Sequence, residues 1–463
     1  MGSLLSRSLQ GVSRRGIVLG AFLAWAMVLG GGGSPNPETE ILVQIGFGLA
    51  VILWLWWASP DNDAPRIVLP RMALAAGIIV LALPLVQIVP LPPMLWHALP
   101  GREAEIQSLA LVGQEQSWRA LSVSPHLTLA ALLAMIPAVS AFWAASMITQ
   151  RDGQLVLAVI SIVALAGAAL GVLQMAGAPD SFRLYEKTHL GWLTAFHANR
   201  NAAADVLLCG MLALSGWFSL RRLRGLSDKP GTSLYVAAQF VLIVAVVMTG
   251  SRAGIALLIL TVPFHWFILR PKRMEMRGKL ALAGGGAIAI VLVALPLALS
   301  GNTRLAQVAQ RFDATSDARF PLWQDSLEAI GAFWPVGSGV GSFTHAFAPF
   351  ESAEHVDQFF PNRVHNDYLE FLLEAGLAAP ILLILAMILL VMVFRRTGDA
   401  PAEGQTIHMV AFGILAIIAL HSIVDYPLRN MAIACLAGVA AGLLPIGSPG
   451  RNKRNGKGRE GER

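Results

Sequence analysis

Apolar segments of roughly 20 residues recur along this chain, and they constrain its fold more than any other feature. Hydropathy predicts about 12 of them, each long enough to cross a bilayer as a helix. They are residues 16–34, 41–58, 67–89, 127–148, 154–176, 197–220, 232–249, 252–269, 280–299, 376–394, 406–425 and 430–446. The chain is 55% hydrophobic and only 13% charged. We therefore predict an all-α polytopic membrane protein.

Basic clusters fall on alternate connections between these segments and predict an orientation. The clusters are at residues 221–224, 270–273, 395–396 and 451–463. If both termini are cytoplasmic, all four lie inside, as the positive-inside rule requires. The net charge of +6 is then a topology signal, so we do not expect nucleic-acid binding. No clear cleavage site follows the first apolar run, which we interpret as a retained helix.

A long polar segment interrupts the apolar pattern and divides the chain into four predicted regions. Residues 1–300 hold transmembrane helices 1–9, and residues 301–375 form a large periplasmic loop with short helices. Residues 376–446 hold helices 10–12, and residues 447–463 form a basic, disordered cytoplasmic tail. Spanning alone needs no loop of this size, so we expect chemistry or recognition there.

Arginine predominates among the cations on the predicted outer side. They are Arg102, Arg119, Arg183, Lys187, Arg200, Arg252, Arg304, Arg311, Arg319, Arg363 and Arg429. Positive-inside selection acts against cations there, and the planar guanidinium suits bidentate capture of phosphate. An external diphosphate is the ligand that this pattern favours.

Two motifs place arginines at predicted helix starts on this side. Arg252 lies in Thr249-Gly-Ser-Arg-Ala-Gly254, at a tight turn between spans, where a charge indicates function or a snorkelling anchor. Arg200 and Asn201 lie in a polar cluster at the start of the sixth span, where free N–H groups favour an anion. Ordinary capping and contacts between helices explain the second motif equally well.

The polar segment itself contains a predicted interfacial helix. Arg319 precedes its start, and an apolar stripe follows at helical spacing, made of Trp323, Leu327, Ile330 and Trp334. Such a stripe usually serves packing, so we single out the arginine. The run Gly337-Ser-Gly-Val-Gly341 lacks the ending and the setting of a phosphate loop and is interpreted as a turn.

His365 stands directly before a helix that leads into the tenth span. Asn366 can cap this helix, and Asn366, Glu370 and Glu374 share one face. A helix start disfavours the imidazolium, which predicts a neutral His365 able to accept a proton. A purely structural histidine is the alternative.

The order of these motifs, followed by His421-Ser-Ile-Val-Asp425, resembles the O-antigen ligase and polymerase superfamily. The resemblance covers roughly residues 196–425. It implies an inverting glycosyltransferase of the GT-C type that takes glycans from undecaprenyl diphosphate on the periplasmic face. Ligases of this kind use lipid A-core as acceptor, and polymerases use another lipid-linked glycan.

The resemblance and the residue chemistry together assign roles to the candidate residues. His365 would be the catalytic base or would orient the acceptor, and the diphosphate would be held by arginines. The arginines are Arg252 and Arg319, with Arg200 and Arg363 as weaker candidates. The supporting residues are Asn366, Glu370, Asn201, His421 and Asp425. His421 and Asp425 could pair with each other, support the site or be purely structural.

The remaining expectations concern metals, partners and location. No outer-face cluster has metal-ligand spacing, and Cys209 and Cys435 both lie in apolar runs, so we expect neither a metal nor a cofactor. The expected location is a bacterial inner membrane, with lipid and possible polysaccharide assembly proteins as further partners. A transporter or flippase for lipid-linked oligosaccharide is the main alternative, although related halves are not evident. A scaffold for an export complex would leave the outer arginines unexplained.

Overall fold

The computed structural model describes residues 11–33, 37–58, 69–178, 180–186, 188–269, 319–356 and 360–444. The predicted span 280–299 and the predicted tail 447–463 lie outside the described residues. So do Lys187, Arg304 and Arg311 of the outer cations.

Helices make up almost all the regular structure of the described residues. They are α1 Arg14–Leu29, α2 Pro37–Trp56, α3 Arg71–Gln87, α4 Pro93–Trp96, α5 Glu103–Ala110, α6 Pro125–Ala145, α7 Gln150–Ala176, α8 Arg200–Leu223, α9 Lys229–Met248, α10 Arg252–Leu269, α11 Arg319–Phe333, α12 Phe343–Phe347, α13 Asp367–Ala375, α14 Ala378–Thr397, α15 Ala402–His421 and α16 Met431–Gly442. Two short 3-10 helices cover Ala348–Phe350 and Pro427–Arg429. Strands β1 Pro90–Leu91 and β2 Arg119–Ala120 pair antiparallel, with Pro90 opposite Ala120.

Eight of the described helices are long and apolar enough to cross a membrane. They are α2, α6, α7, α8, α9, α10, α14 and α15, and α3 and α16 are shorter apolar helices. The prediction of a helical, multi-pass membrane protein is confirmed, with eight candidate spans among the described residues. Each predicted span other than 280–299 falls on one of the helices α1 to α16, while the number 12 and the outer position of the loop stay predictions.

Helix α8 forms the centre of the bundle. It is 94% buried over its apolar window, and it packs against α7, α9, α10 and α15. Small residues allow close contact between these backbones, as is common in membranes. A Cβ added at Gly210 would lie 2.2 Å from Cβ of Ala164, and one added at Gly254 would lie 2.6 Å from Cβ of Ala204. The start of α10 therefore lies beside the start of α8.

Backbone contacts bring several helix termini together at one end of the bundle, which we call the site end. The N–H of Ala198, just before α8, donates to the carbonyl of Gly31 after α1, at 2.8 Å. The N–H of Ala432, at the start of α16, donates to the carbonyl of Gly30 at 3.2 Å. The loops before α8 and α16 and after α1 therefore meet at the site end.

The opposite end of the bundle is fixed by separate polar contacts. Arg224, after α8, forms an ion pair of 2.8 Å with Glu403 in the first turn of α15. The N–H of Ser13, before α1, donates to Asp152 in the first turn of α7 at 2.7 Å. Helices α8 and α15 consequently run antiparallel, with the end of α15 at the site end.

Helices α11, α12 and α13 form a small unit with its own apolar core. The core consists of Ala329, Ile330, Phe333, Phe343, Ala346, Phe347, Val364 and Leu373. Of the predicted α11 stripe, Ile330 lies in this core, whereas Leu327 and Trp334 are 55% and 43% exposed, and the place of the helix in the membrane interface stays a prediction. Helix α11 turns the face with Ala329 and Ile330 toward the core because it packs on α13.

The glycine-rich run between α11 and α12 is a turn, as the sequence predicts. Gly337, Gly339 and Gly341 have φ values of 86°, 110° and 84°, which residues with a side chain rarely adopt. A Cβ at Gly337 would lie 2.6 Å from the carbonyl oxygen of Glu374, so the turn packs directly on the end of α13. The N–H of Val340 also donates to Oε1 of Gln87, which ties the turn to the end of α3.

Candidate active site

Two polar contacts join the start of α8 to the end of α15. Nδ2 of Asn201 donates to Oδ2 of Asp425 at 2.6 Å. One helical turn along, Nδ1 of His421 lies 2.5 Å from Oδ1 of Asp205. Of the alternatives that the sequence left open for His421 and Asp425, a hydrogen bond between the two is not the one found, because the imidazole of His421 turns toward α8 and contacts Asp205 there.

The second oxygen of Asp425 contacts His365. Nδ1 of His365 lies 3.1 Å from Oδ1 of Asp425. A carboxylate only accepts hydrogen bonds, so Nδ1 is the donor, and in a neutral imidazole Nε2 is then the acceptor. The side chain of His365 is 32% exposed and that of Asp425 only 5%, so a buried carboxylate orients a partly exposed imidazole.

The backbone holds His365 in an unusual conformation. Its φ of 56° lies in the left-handed region, which a residue with a side chain seldom adopts. The neighbouring residues are fixed on both sides: the carbonyl of Val364 accepts from the indole of Trp323, and Asn366 caps α13. The ring of Tyr426 contacts that of His365 edge to face, at 4.9 Å between centroids. Strained residues held in this way cluster at functional sites.

Helix α13 begins at Asp367, whose contacts dock it on the end of α15. Oδ2 of Asp367 accepts from the hydroxyl of Ser422 at 2.9 Å and from the N–H of Leu428 at 3.2 Å. The N–H of Asp367 donates to the carbonyl of Ser422. These bonds bring His365 beside Asp425. Burial raises the pKa of Asp367 to about 7, against the opposing charge of Arg429.

The charge of Arg319 also acts on Asp425. Burial opposes the charged form of Asp425, yet its pKa lies well below its usual range. The hydrogen bond from His365 and the charges of His421 and Arg319 outweigh the burial. Arg319, the first residue of α11, is therefore close enough to Asp425 for its charge to act there.

Tyr426 lies beside His365 and is partly buried. Burial and the charge of Asp425 raise the pKa of its phenol to about 12, against hydrogen bonds with Asn362 and Asn199. Asn199 also caps α8, since its side chain accepts from the N–H of Asn201 at 2.8 Å. The phenol thus links the start of α8 to the loop that carries His365.

Trp192 connects the two arginine motifs that the sequence singled out. The guanidinium of Arg200 lies over its ring at 5.3 Å from the centroid. Gly250, with φ of 62°, packs against the same ring, and a Cβ there would lie 2.3 Å from it. Arg252 begins α10 two residues later. Arg200 and Arg252 therefore occupy adjoining positions at the site end.

Arg363 and Glu370 belong to a buried ion-pair cluster. Glu370 accepts from Nη1 of Arg363 at 2.8 Å and from the N–H of Val364 at 3.1 Å, and lies 3.4 Å from Nε of Arg429. Arg429 also contacts Glu374 at 2.7 Å. Burial alone would raise the pKa of Glu370, but the two arginines outweigh it and lower the pKa. The cluster supports the backbone next to His365, and Glu370 has no contact with the imidazole itself.

Residues 237–384 match the family of O-Antigen ligases. This match confirms the resemblance that the order of motifs indicated. No curated protein matches the chain. The match to this family suggests a membrane enzyme of the glycosyltransferase type, a ligase or polymerase. The substrates that the family implies are in general a lipid-linked glycan and a glycan acceptor.

The matched segment, residues 237–384, contains some residues of the candidate site, and others lie outside it. Arg252, Arg319 and His365 lie within it. Asp425, which contacts His365, and Asn201, which contacts Asp425, lie beyond its two ends. The first half of the chain and its last helices therefore complete the surroundings of the histidine.

Sequence reasoning missed three contributors to this candidate site. Asp205 is a single acid within a span, Tyr426 follows the His421–Asp425 motif directly, and Arg429 was counted only among the outer arginines. An acid inside an apolar helix is the one signal that could have pointed to Asp205, since such residues are rare and functional.

A small cavity lies between the two polar contacts of α8 and α15. Its volume is about 20 Å³, and its walls include Asp205, Asp425, Asn199 and Tyr426. His365 is not among the residues that line this cavity. Among the described residues there is no group of three or more His, Cys, Asp and Glu side chains that could hold a metal ion.

Proposed function

We propose that this protein is an inverting membrane glycosyltransferase that moves a glycan from undecaprenyl diphosphate to an acceptor hydroxyl, as an O-antigen ligase or a polysaccharide polymerase. The carrying observation is the exposed imidazole of His365, held through Nδ1 by the buried carboxylate of Asp425. That arrangement leaves Nε2 ready to take a proton from an acceptor.

The reaction needs a base on one side of the anomeric carbon and positive charge on the other. Nε2 of His365 takes the proton of the acceptor hydroxyl as its oxygen attacks the anomeric carbon. The bond from that carbon to the diphosphate oxygen breaks, and undecaprenyl diphosphate leaves with the electron pair. Asp425 stabilises the imidazolium that forms, as the acid of a catalytic triad does. Attack opposite to the leaving group inverts the anomeric configuration.

The arginines at the site end supply charge for the diphosphate. Arg319 is the first choice because its charge already reaches Asp425. Arg252 and Arg200 adjoin each other around Trp192 and form a second part of the same basic region. Arg363 is a weaker candidate, since it is buried and paired with Glu370. Neither a metal nor a cofactor is part of this mechanism.

The distribution of basic residues supports a periplasmic site. The end of the bundle opposite to the site carries Arg14, Arg15, Arg151, Arg221, Arg222, Arg224, Arg395 and Arg396. The positive-inside rule assigns such an end to the cytoplasm. With both termini there, the protein would lie in a bacterial inner membrane with His365 in the periplasm. A single cysteine at position 345 should then react with an impermeant label from outside, and one at position 455 only from inside.

A reconstituted assay separates this proposal from transport. Purified protein in detergent is given undecaprenyl-diphosphate glycan with either lipid A-core or a second lipid-linked glycan as acceptor. We expect release of undecaprenyl diphosphate together with one glycosylated product, lost in His365→Ala and Arg319→Ala. The productive acceptor distinguishes ligase from polymerase. Intact donor with every acceptor, in protein that binds the donor, would favour a flippase or a scaffold instead.

A further inference from the structure

Asp205 and His421 form a second Asp–His pair, one helical turn from the pair of Asp425 and His365. Unlike that pair, it has no role in the proposed chemistry. Oδ1 of Asp205 and Nδ1 of His421 are 2.5 Å apart. Their side chains are 1% and 0% exposed, so neither can reach a substrate. The polar contact instead joins the first turns of α8 to the last turn of α15.

The pair belongs to a regular antiparallel register between these two helices. Asp205 follows Asn201 by four residues on α8, and Asp425 follows His421 by four residues on the partner side. Asn201 meets Asp425 and Asp205 meets His421, so the contacts form two adjacent rungs. Residues four apart on a helix lie on one face. Asp425 lies in the turn that follows α15 and keeps the helical bond to His421, since its N–H donates to the carbonyl of His421 at 2.9 Å.

Beyond these rungs the same register continues in small and apolar residues. A Cβ added at Gly216 would lie 2.5 Å from Val410, and one added at Gly413 would lie 2.6 Å from Leu212. Sliding α15 along α8 would therefore meet little polar resistance over most of its length. Among the described residues, three polar contacts join the two helices: Asn201 with Asp425, Arg224 with Glu403, and Asp205 with His421. Of these three, the contact between Asp205 and His421 is the one in which both side chains are almost completely buried.

Stability alone does not explain why an ionisable pair occupies this position. Removing two such groups from water is costly, and well-packed apolar residues often stabilise a protein as much or more. Ionisable residues inside a span are rare and usually serve function. The best-supported use of buried polar pairs is to specify register.

The register matters because Asp425 must contact two residues outside α15, Asn201 and His365. Its two oxygens contact Asn201 at 2.6 Å and His365 at 3.1 Å. A slip of α15 by one residue would move Asp425 by about 1.5 Å along the axis and turn it by about 100°. Either change would break the bond to His365.

We infer that Asp205 and His421 are positioning residues, which fix the register of α8 against α15 and thereby hold Asp425 against His365. This inference rests on the proposed function, because it acts through the base assigned there. It predicts that the pair affects turnover and leaves donor binding unchanged, since neither side chain touches the diphosphate region.

The test compares variants of the full-length protein in the transfer assay. Asp205→Ala should lower kcat about 10- to 100-fold, as loss of an orienting partner does elsewhere, with KM for the donor unchanged. The exchange Asp205→His with His421→Asp keeps the rung and should recover turnover to within a few-fold of the wild type. Arg224→Ala breaks a contact between the same two helices at the opposite end and serves as the matched control, with wild-type turnover.

A double-mutant cycle tests whether the pair acts through Asp425. Residues that act as a unit are non-additive, so adding Asp205→Ala to Asp425→Asn should cost little further turnover. Full multiplicative loss would overturn the inference. If Asp425→Asn itself turns over like the wild type, the catalytic pair is wrong and the proposed function fails at that point, whatever Asp205→Ala does.

An apolar double variant covers the case in which Asp205→Ala does not fold. Asp205→Leu with His421→Leu should give a folded protein, because apolar replacement of a buried pair is tolerated. We expect that protein to bind donor normally and to turn over at least about 10-fold more slowly. Wild-type turnover in it would overturn the inference.

Discussion

Nδ1 of His365 donates to Oδ1 of Asp425 across 3.1 Å, although 60 residues separate the two in sequence. The contact exists because α13 docks on the end of α15 through Asp367 and Ser422. The buried carboxylate of Asp425 thus fixes the orientation of the partly exposed imidazole of His365.

Replacing Asp425 tests the orienting contact without removing volume. In Asp425→Asn, the amide can accept from Nδ1 only when it is turned correctly, and it cannot stabilise an imidazolium. We expect kcat to fall by about 10²–10⁴, the range for loss of a general base or its orienting acid. The assay is undecaprenyl-diphosphate release under saturating donor. Wild-type kcat in folded Asp425→Asn would remove the acid from the mechanism.

Arg319 offers a test of geometry at constant charge. A lysine supplies the same charge as a single point and loses the planar fork that suits a diphosphate. Arg319→Lys should therefore lower kcat/KM for the donor at least about tenfold, and Arg319→Ala should lower it further. Arg395→Lys, in the last turn of α14 at the opposite end, is the control and should behave like the wild type. Full activity of Arg319→Lys would show that the fork is not used.

The ion-pair cluster around Arg429 predicts a large effect on stability. Removing the guanidinium in Arg429→Met leaves the buried carboxylates of Glu370 and Glu374 without this partner. Breaking a buried pair in this way costs about 3–5 kcal/mol of unfolding free energy. Arg224→Met breaks a half-exposed pair with Glu403 and should cost no more than about 1 kcal/mol. Thermal unfolding of both variants in one detergent would measure the difference, and equal shifts would contradict the account.

The buried carboxyl of Asp367 predicts a pH dependence of stability. Its pKa in the folded protein is about 7, above the value of the unfolded chain, so the folded state binds the extra proton between the two values. The unfolding free energy from this group therefore falls as pH rises from about 4 to about 7. Asp367→Asn keeps an acceptor for Ser422 and removes the titration. Its Tm relative to the wild type should rise with pH across this window, and a constant difference would contradict the assignment.

The sequence predicted the features that depend on local pattern. The spans follow from apolar length, the cap at Asn366 from its place before a polar helix start, and the turn at Gly337 from its glycines. The candidate residues Arg319 and His365 followed from charge and order along the chain. Each of these needs information from one stretch of residues only.

The contacts between distant helices could not be predicted in the same way. Asn201 and Asp425 are 224 residues apart, and nothing in either stretch says that α8 and α15 are neighbours. Which residues of the α11 stripe are buried depends in the same way on where α13 lies, and Ile330 is buried whereas Leu327 and Trp334 are exposed. The pairing of His421 with Asp205 needed the same knowledge of the bundle.

The central claim is that His365 is the base, and its replacement by alanine tests this most directly. We predict that His365→Ala binds the undecaprenyl-diphosphate donor normally and turns over about 10²–10⁴ times more slowly. Added imidazole should restore part of the turnover, because the side chain is accessible and leaves a matching space. A kcat within a few-fold of the wild type, without imidazole, would contradict the account.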